Sequence, residues 1–471
     1  MAARSLVTRQ PNERLQMLIN EAGCSNVGLA RRVNMEGTNR GLDLRYDKTS
    51  VSRWLRGQQP RGLTPVIIAE VLSQKLRRAV SIDEIGMTNN RERETSGTGL
   101  TFAPALSDAI DEVTKLWRSD ANRRNLHSGS RLGISTLLEP SRDWLITEPD
   151  AGAEHSGGSR VEPADIDLLS RATERIAELD HRFGSGHVRP IAVHYLDSVV
   201  SVLLEGSYEG EIGSQLCTTA ARLTELTGYM AVDDGKTGLA QRYYIQALRL
   251  AQAAGDRAFG GYVLAAGMSH LAASLGYPRE VTQLARAARE GTRGQAGLRT
   301  QACLYAAEAR GYALVGDERA CTVAMGKATD ALERADPDGE PDWITHFDRA
   351  YLADELAHCC LDLHQPKSAL RHAQEALAGH PEHRVRRRAI DLMVLATAQI
   401  EIRDVDEACD TAGQALHLLA RLRSKLGIRY LSDFRSRLRP FGREPSVRDF
   451  EARLHDDAGR AVICRSEDQP A

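Results

Sequence analysis

No uncharged apolar run in the sequence reaches the roughly 18 residues needed to cross a bilayer, which excludes a membrane-spanning helix. The opening segment, MAARSLVTRQPNERL, lacks the apolar stretch of a secretory signal, so a cytoplasmic location is expected. Aromatic residues make up only 5% of the chain, few for an all-β sandwich or barrel. Eight cysteines are scattered with no CxxC pair, so neither a structural zinc site nor a disulfide framework is expected. A Gly-rich phosphate loop, GxSxG and HExxH are all missing. The expectation is therefore a protein that is not an enzyme, with no metal and no cofactor. Lysine is also scarce, seven of 61 basic residues. That bias looks like a high-GC genome and bears on no mechanism.

What is present points to a soluble chain of more than one unit. Its 471 residues exceed what one core usually serves. Apolar residues at 42% and charged residues at 27% are in the globular range. The net charge of −3 is unevenly placed: residues 1–87 carry 14 Lys and Arg against eight Asp and Glu, or +6, and the remainder carries −9. A basic head on an acidic body suggests that the head meets a polyanion.

The head reads as four helices. Leu15, Leu18 and Ile19 have helical spacing within 11–22, and Gly23 ends that helix. Ser25 can cap a second helix, SNVGLARRVN, with Val27, Leu29, Ala30 and Val33 inward. Asp47 or Thr49 can cap a third, KTSVSRWLRG, which Gly57 stops. Val51, Trp54 and Leu55 then face inward, and Lys48, Thr49, Ser50, Ser52, Arg53 and Arg56 face outward. The fourth, TPVIIAEVLSQKLRRAV, turns Ile67, Ile68, Val71, Leu72 and Leu76 to the core.

This series resembles the XRE (Cro/CI-like) helix-turn-helix family. The matching residues are Leu29-Ala30-Arg31-Arg32, Val51-Ser52-Arg53-Trp54-Leu55-Arg56-Gly57, Pro60, Ala69 and Ile82-Asp83-Glu84-Ile85. The resemblance implies double-stranded DNA as partner, with the third helix in the major groove. Lys48, Thr49, Ser50, Ser52 and Arg53 are then the candidates for base edges. Ser25, Asn26, Arg56, Gln58 and Arg61 are the candidates for phosphate contacts. Here some 13 residues, 35–47, separate helices that the family joins by a tight turn. Three roles stay open for this insertion: splaying the third helix, touching phosphate, or forming a wing.

Residues 88–163 are expected to be a linker region with one helix, about 106–118, in which Ile110, Val113, Leu116 and Trp117 recur at helical spacing. Whether that helix and the Trp144 segment pack on the body or on a second chain is left open. The stretch 148–163 reads as a further linker.

Residues 164–440 read as helix pairs in series, and 441–471 as a capping helix, VRDFEARLHD, with a disordered tail. A corner recurs as SLGYPREV, LVGDERAC, DLHQPKSA and EIRDVDEA, at intervals of 40, 48 and 39 residues. Each follows an Ala-rich helix. The pattern resembles the tetratricopeptide repeat in a divergent form, best at Ala240, Tyr244 and Ala247. That resemblance implies a curved helical array with a groove, in which Tyr244, Tyr262, Tyr305 and Tyr312 are candidate ligand contacts. Arg384 and Arg386–Arg388 form a basic run at a helix start, where the macrodipole disfavours positive charge, so a solvated face or an acidic partner is expected there. The five histidines from His358 to His383 have the spacing of ordinary surface and core residues rather than of a metal site.

The fold class expected is all-α, a helix-turn-helix domain followed by a helical-repeat array. The layout resembles actinobacterial XRE regulators with tetratricopeptide-like bodies, which include regulators of antibiotic production and sporulation. It implies a homodimeric regulator with a peptide, protein or small-molecule effector in the repeat groove. The alternative is a protein–protein adaptor whose head has lost its function.

Overall fold

The structure is a computed structural model that describes residues 11–39, 44–60, 64–76, 78, 80–82, 84–87, 97–122, 135–150, 152–336 and 339–455. Every regular element among them is helical, and extended pairing is limited to two isolated bridges, His155 with Tyr208 and Arg160 with Ser207. The chain divides into two compact units, Met1–Gly97 and Thr98–Ala471.

The first unit holds α1 (Glu13–Glu21), α2 (Asn26–Asn39), α3 (Lys48–Leu55) and α4 (Thr64–Leu76). Leu15, Ile19, Leu29, Val33, Val51, Ile67, Ile68 and Leu72 form one buried core with Trp54. Asn12 closes the unit: its side chain caps α1 at Leu15 N and donates to the carbonyls of Ile85 and Gly86. Two readings of α2 change. The helix runs to Asn39 rather than ending near Asn34, so part of the 35–47 insertion simply lengthens it. Asn34 then holds the return by bonding both the N–H and the carbonyl of Tyr46, each at 2.9 Å. Val27, expected inward, is 57% exposed, because it lies in the first turn of α2, ahead of the buried Leu29 and Ala30.

The second unit begins at Thr98, well ahead of the expected boundary at 163. Two helices, not one, precede the array: α5 (Leu106–Ala121) and α6 (Ser135–Ile146). Trp117 and Trp144 are fully buried in the unit's main core. This segment is held by the next helices of the chain. They are α7 (Pro163–Phe183), α8 (Ser185–Tyr195), a π-helical stretch Leu196–Val200, α9 (Ser201–Leu204), α10 (Gly210–Asp233) and α11 (Thr237–Ala253). Along α11 the buried side chains of Arg242, Gln246, Arg249 and Gln252 donate to backbone carbonyls of 98–104 and 147–148. These bonds offset much of the cost of burying four long polar side chains, although Arg249 Nη1 and Gln252 Oε1 find no partner among the described residues, and the strap is fixed through its backbone.

The array continues through α12 (Arg257–Tyr262), a second π-helical stretch Val263–Met268, α13 (Ser269–Ser274), α14 (Pro278–Gly291), α15 (Leu298–Val315), α16 (Glu318–Glu333), α17 (Arg349–Asp362), α18 (Pro366–Gly379), α19 (Val385–Glu401), α20 (Val405–Leu419), α21 (Lys425–Leu438) and α22 (Pro445–Leu454). The corners recurring in the sequence are its helix-to-helix turns. At each, one residue is left-handed: Gly235, Gly255, Gly276, Gly316, His364 and Arg403. Around it the same pair of bonds repeats, as in Gly316 N to Ala313 O with Asp317 N to Tyr312 O, and Arg403 N to Ile400 O with Asp404 N to Gln399 O. These are Schellman closures, which satisfy the last carbonyls of one helix and aim the next.

The array also meets its own beginning. Arg386 of α19 is buried and donates to Asp180 of α7 at 2.6 Å, and to Ser185 and to Asp233 of α10. Ser424, at the N-cap of α21, bonds Asp233 as well. Residues about two hundred positions apart thus share one ionic knot.

Candidate functional sites

On the first unit the site is α3. Asp47 caps it: the Ser50 N–H and hydroxyl both donate to its carboxylate at 2.8 Å. Those bonds, with the backbone one from Ser50 foremost, lower the Asp47 pKa from its usual value. The same capping removes Ser50 from the base-edge set, since its side chain is buried and turned to the cap. Ser52 is half-buried and donates to the Lys48 carbonyl. Lys48, Thr49, Arg53 and Arg56 are exposed, and Arg56 Nε reaches the Ser52 carbonyl at 3.2 Å. The opposite face is fixed by Val51 and by Trp54, which meets Tyr46 edge-on with ring centroids 5.0 Å apart. Ser25 is exposed and caps α2 through Gly28 N, and Asn26 and Gln58 are half-buried. Arg61 lies outside the described residues.

On the second unit the site is a cavity of about 430 Å³, lined by α10, α11, the second π-helical stretch, α13, α15, α17, α19 and α21. Its wall alternates in charge. Arg387 donates to Asp354 at 2.7 Å, and Arg310 lies 3.4 Å from Asp362. His358 bonds the Tyr430 hydroxyl at 2.7 Å and stands 3.3 Å from Asp354. His270 faces Glu355 at 3.7 Å. Burial works against the charge of Asp354, but His358 and Arg387 beside it overcome that and hold its carboxyl well below the usual range. Burial likewise opposes protonation of His358, yet Asp354 raises its pKa. His270 goes the other way, depressed by burial more than Glu355 can restore.

The four tyrosines do not share this cavity. Tyr244 lines it, its ring fitted against Gly228 and Gly267. Tyr262 stacks with Phe259 and Trp343 in an aromatic cluster and reaches His346 at 3.3 Å. Tyr305 lies under Arg289 at 4.5 Å, and Tyr312 donates to Glu308 at 3.1 Å, both at shallow outer depressions. Tyr305 and Tyr312 share α15 while Tyr244 and Tyr262 lie on α11 and α12, and only Tyr244 is turned to the cavity.

The basic run of α19 answers carboxylates of its own chain. Arg386 meets Asp180 and Asp233, Arg387 meets Asp354, and Arg384 lies 4.0 Å from Asp348. Neither a solvated face nor an outside acidic partner is needed for these three. The cavity groups Asp354, Glu355, Asp362 and Tyr430 were not singled out from the sequence. Their only signal there was a carboxylate or hydroxyl inside an otherwise apolar helix stripe, as in LADELAHCCLD.

Residues 15–88 match the family model described as the SP15 N-terminal domain. A solved structure of a Rap protein complexed with Competence and Sporulation Factor aligns with 76% of this chain and 99% of its own, at 13% identity and a TM-score of 0.40. No curated protein matches the chain in sequence.

Proposed function

We propose that the chain is a sequence-specific DNA-binding transcriptional regulator. Its first unit reads duplex DNA through α3, and its second unit holds an effector in the cavity. The observation that carries this reading is the two-sidedness of α3. Val51 and Trp54 are locked into a core while Lys48, Thr49, Arg53 and Arg56 stand in solvent on a capped helix. A helix of that kind fits the major groove, with the side chains of its N-terminal half at base edges. The likeness of 29–32 and 51–57 to XRE regulators, and the +6 charge of residues 1–87, support the same partner. The layout's resemblance to actinobacterial regulators of development and antibiotic production supports gene control of that kind. The effector that the layout implies, a peptide, protein or small molecule, has its place in this cavity.

The test is a selection of duplexes from a random pool, followed by gel shifts on the selected site. Arg53→Ala is expected to lose about 1–3 kcal/mol of discrimination at one base position. Arg56→Ala is expected to weaken all duplexes alike and to lower the salt slope by about one. Binding that ignores salt, or an Arg53→Ala variant that selects as the parent does, would sink the reading. An adaptor with an inert head would retain no duplex at all.

A further inference from the structure

The second unit leaves one helix face bare. Of the ten large apolar side chains exposed among its described residues, five fall on α7–α9: Leu168, Leu179, Phe183, Ile191 and Val202. Within α7, Leu168, Ala172, Leu179 and Phe183 are four, seven and four residues apart, which places them on one side of the helix. Leu168 is 60% exposed, Leu179 40% and Phe183 42%, whereas Ile166, Leu169 and Ile176 of the same helix are buried in the core. An amphipathic helix with a second apolar stripe, outside its own core, is an unsatisfied surface.

The charges beside the stripe say what covers it. Each stripe residue is directly preceded by a charged one: Asp167, Arg171, Glu178 and Arg182. With Glu174 and Arg175 at the centre, the signs run −, +, −, +, −, + at spacings of four, three, one, three and four residues. Read backwards, the spacings are identical and every sign is inverted. The stripe's own spacing is palindromic as well. An antiparallel second copy of α7, turned about a two-fold axis between Glu174 and Arg175, therefore sets the flanking charges Asp167, Arg171, Glu178 and Arg182 opposite unlike ones. Asp167 faces the partner's Arg182, and Arg171 faces the partner's Glu178. The stripe's own two-fold lies one residue further on, between Arg175 and Ile176, so Leu168 with Phe183 and Ala172 with Leu179 pair within about 3 Å of that register.

We infer that α7 is an isologous dimer interface, and that its occupant is a second copy of this chain. Within one chain Arg171 pairs with Asp167 at 2.9 Å and Arg175 with Glu178 at 2.7 Å, all four side chains being well exposed. Arg182 has no ion pair among the described residues, so the in-chain pairing leaves the pattern incomplete and the paired helices complete it. With 21 residues, α7 offers a seam of about 31 Å. The flanking charges act as e and g positions do in coiled coils, setting orientation and register. This inference goes beyond DNA recognition and does not depend on it.

The test is the mass of the full chain in sedimentation equilibrium without DNA. The parent is expected to be a dimer. Leu179→Arg is expected to weaken association by at least about tenfold with unchanged helical circular dichroism. Glu178→Arg sets it against the partner's Arg171 and is also expected to weaken the dimer. The double variant Arg171→Glu with Glu178→Arg is expected to restore it. Inside one chain that double variant repels, since Asp167 then faces Glu at 171 and Arg175 faces Arg at 178, so only a contact between chains predicts rescue. A monomeric parent, a Leu179→Arg variant that stays dimeric, or a double variant weaker than the single one would each overturn the interface. None of these outcomes touches the DNA reading, which the gel shift decides separately.

Discussion

At the scale of single residues, burial decides what polar groups do, and sequence shows burial least well. Glu225 of α10 is the clearest case. Its carboxyl is pushed up from 4.5 to about 8 by burial. The folded chain therefore holds a proton that the unfolded chain releases between those values. The contribution to stability is fully present below about 4.5 and lost as pH rises to about 8. Replacing Glu225 by Gln removes that loss. The stability gap between Glu225→Gln and the parent is expected to widen as pH rises through this interval, by up to about 1.4 kcal/mol per unit. Denaturant melts at pH 5 and pH 8 check it, and a gap that does not change with pH would contradict the protonated state. Ser50 gives the opposite lesson. Its polarity and position suggested a base contact, but an Asp three residues earlier draws its hydroxyl into a cap. The Asp47-x-x-Ser50 spacing was visible in the sequence, yet a cap and a contact compete for one hydroxyl, and only geometry settles which wins.

At the scale of elements, the turns were the most legible part. The four recurring corners were found from small and polar residues at matching places, and they became the left-handed closures at Gly276, Gly316, His364 and Arg403, with Gly235 and Gly255 making six in the array. Two of the six carry a side chain where glycine would be relaxed, His364 at φ 56° and Arg403 at φ 67°. An L residue there costs on the order of 1 kcal/mol. His364→Gly and Arg403→Gly are each expected to raise stability by somewhat less than that, since glycine also loses more freedom on folding. Gly316→Ala, at φ 79°, is expected to lower it. Thermal melts of the three single variants check the signs, and a destabilised His364→Gly would mean that its side chain makes contacts worth more than the strain. The polar side of α11 was illegible for the opposite reason. Gln241, Arg242, Gln246, Arg249 and Gln252 have the spacing of a solvated face, and every one of them is buried. What covers them is a segment more than a hundred residues earlier that read as a linker. Its carbonyls accept from Arg242, Gln246, Arg249 and Gln252, and backbone carbonyls leave no mark on a sequence. Trp144 fits the same account, set where the chain passes Gly260 and Gly291 too closely for any side chain.

At the scale of the second unit, the sequence showed that helix pairs repeat but not that the array returns on itself. Repeat arrays are stable through neighbour contacts alone, so each end can fray independently. Here Arg386 joins α19 to α7 and α10, with Asp180, Asp233, Ser185 and Ser424 around a guanidinium that is almost wholly buried. Removing one member of such a group strands the charges of the others, at a cost of about 3–5 kcal/mol. Arg386→Met keeps the bulk and removes the charge. It leaves two buried carboxylates facing each other with no cation, so the loss falls on both ends of the array at once. The expected outcome is faster amide exchange in α7–α8 and in α19–α21 together, while α14–α16, far from the knot in sequence, keep the protection of the parent. An open array would instead show faster exchange only beside the substituted residue in α19. Hydrogen exchange read by mass spectrometry separates the two, because the peptides that carry Asp180 and Arg386 are distinct.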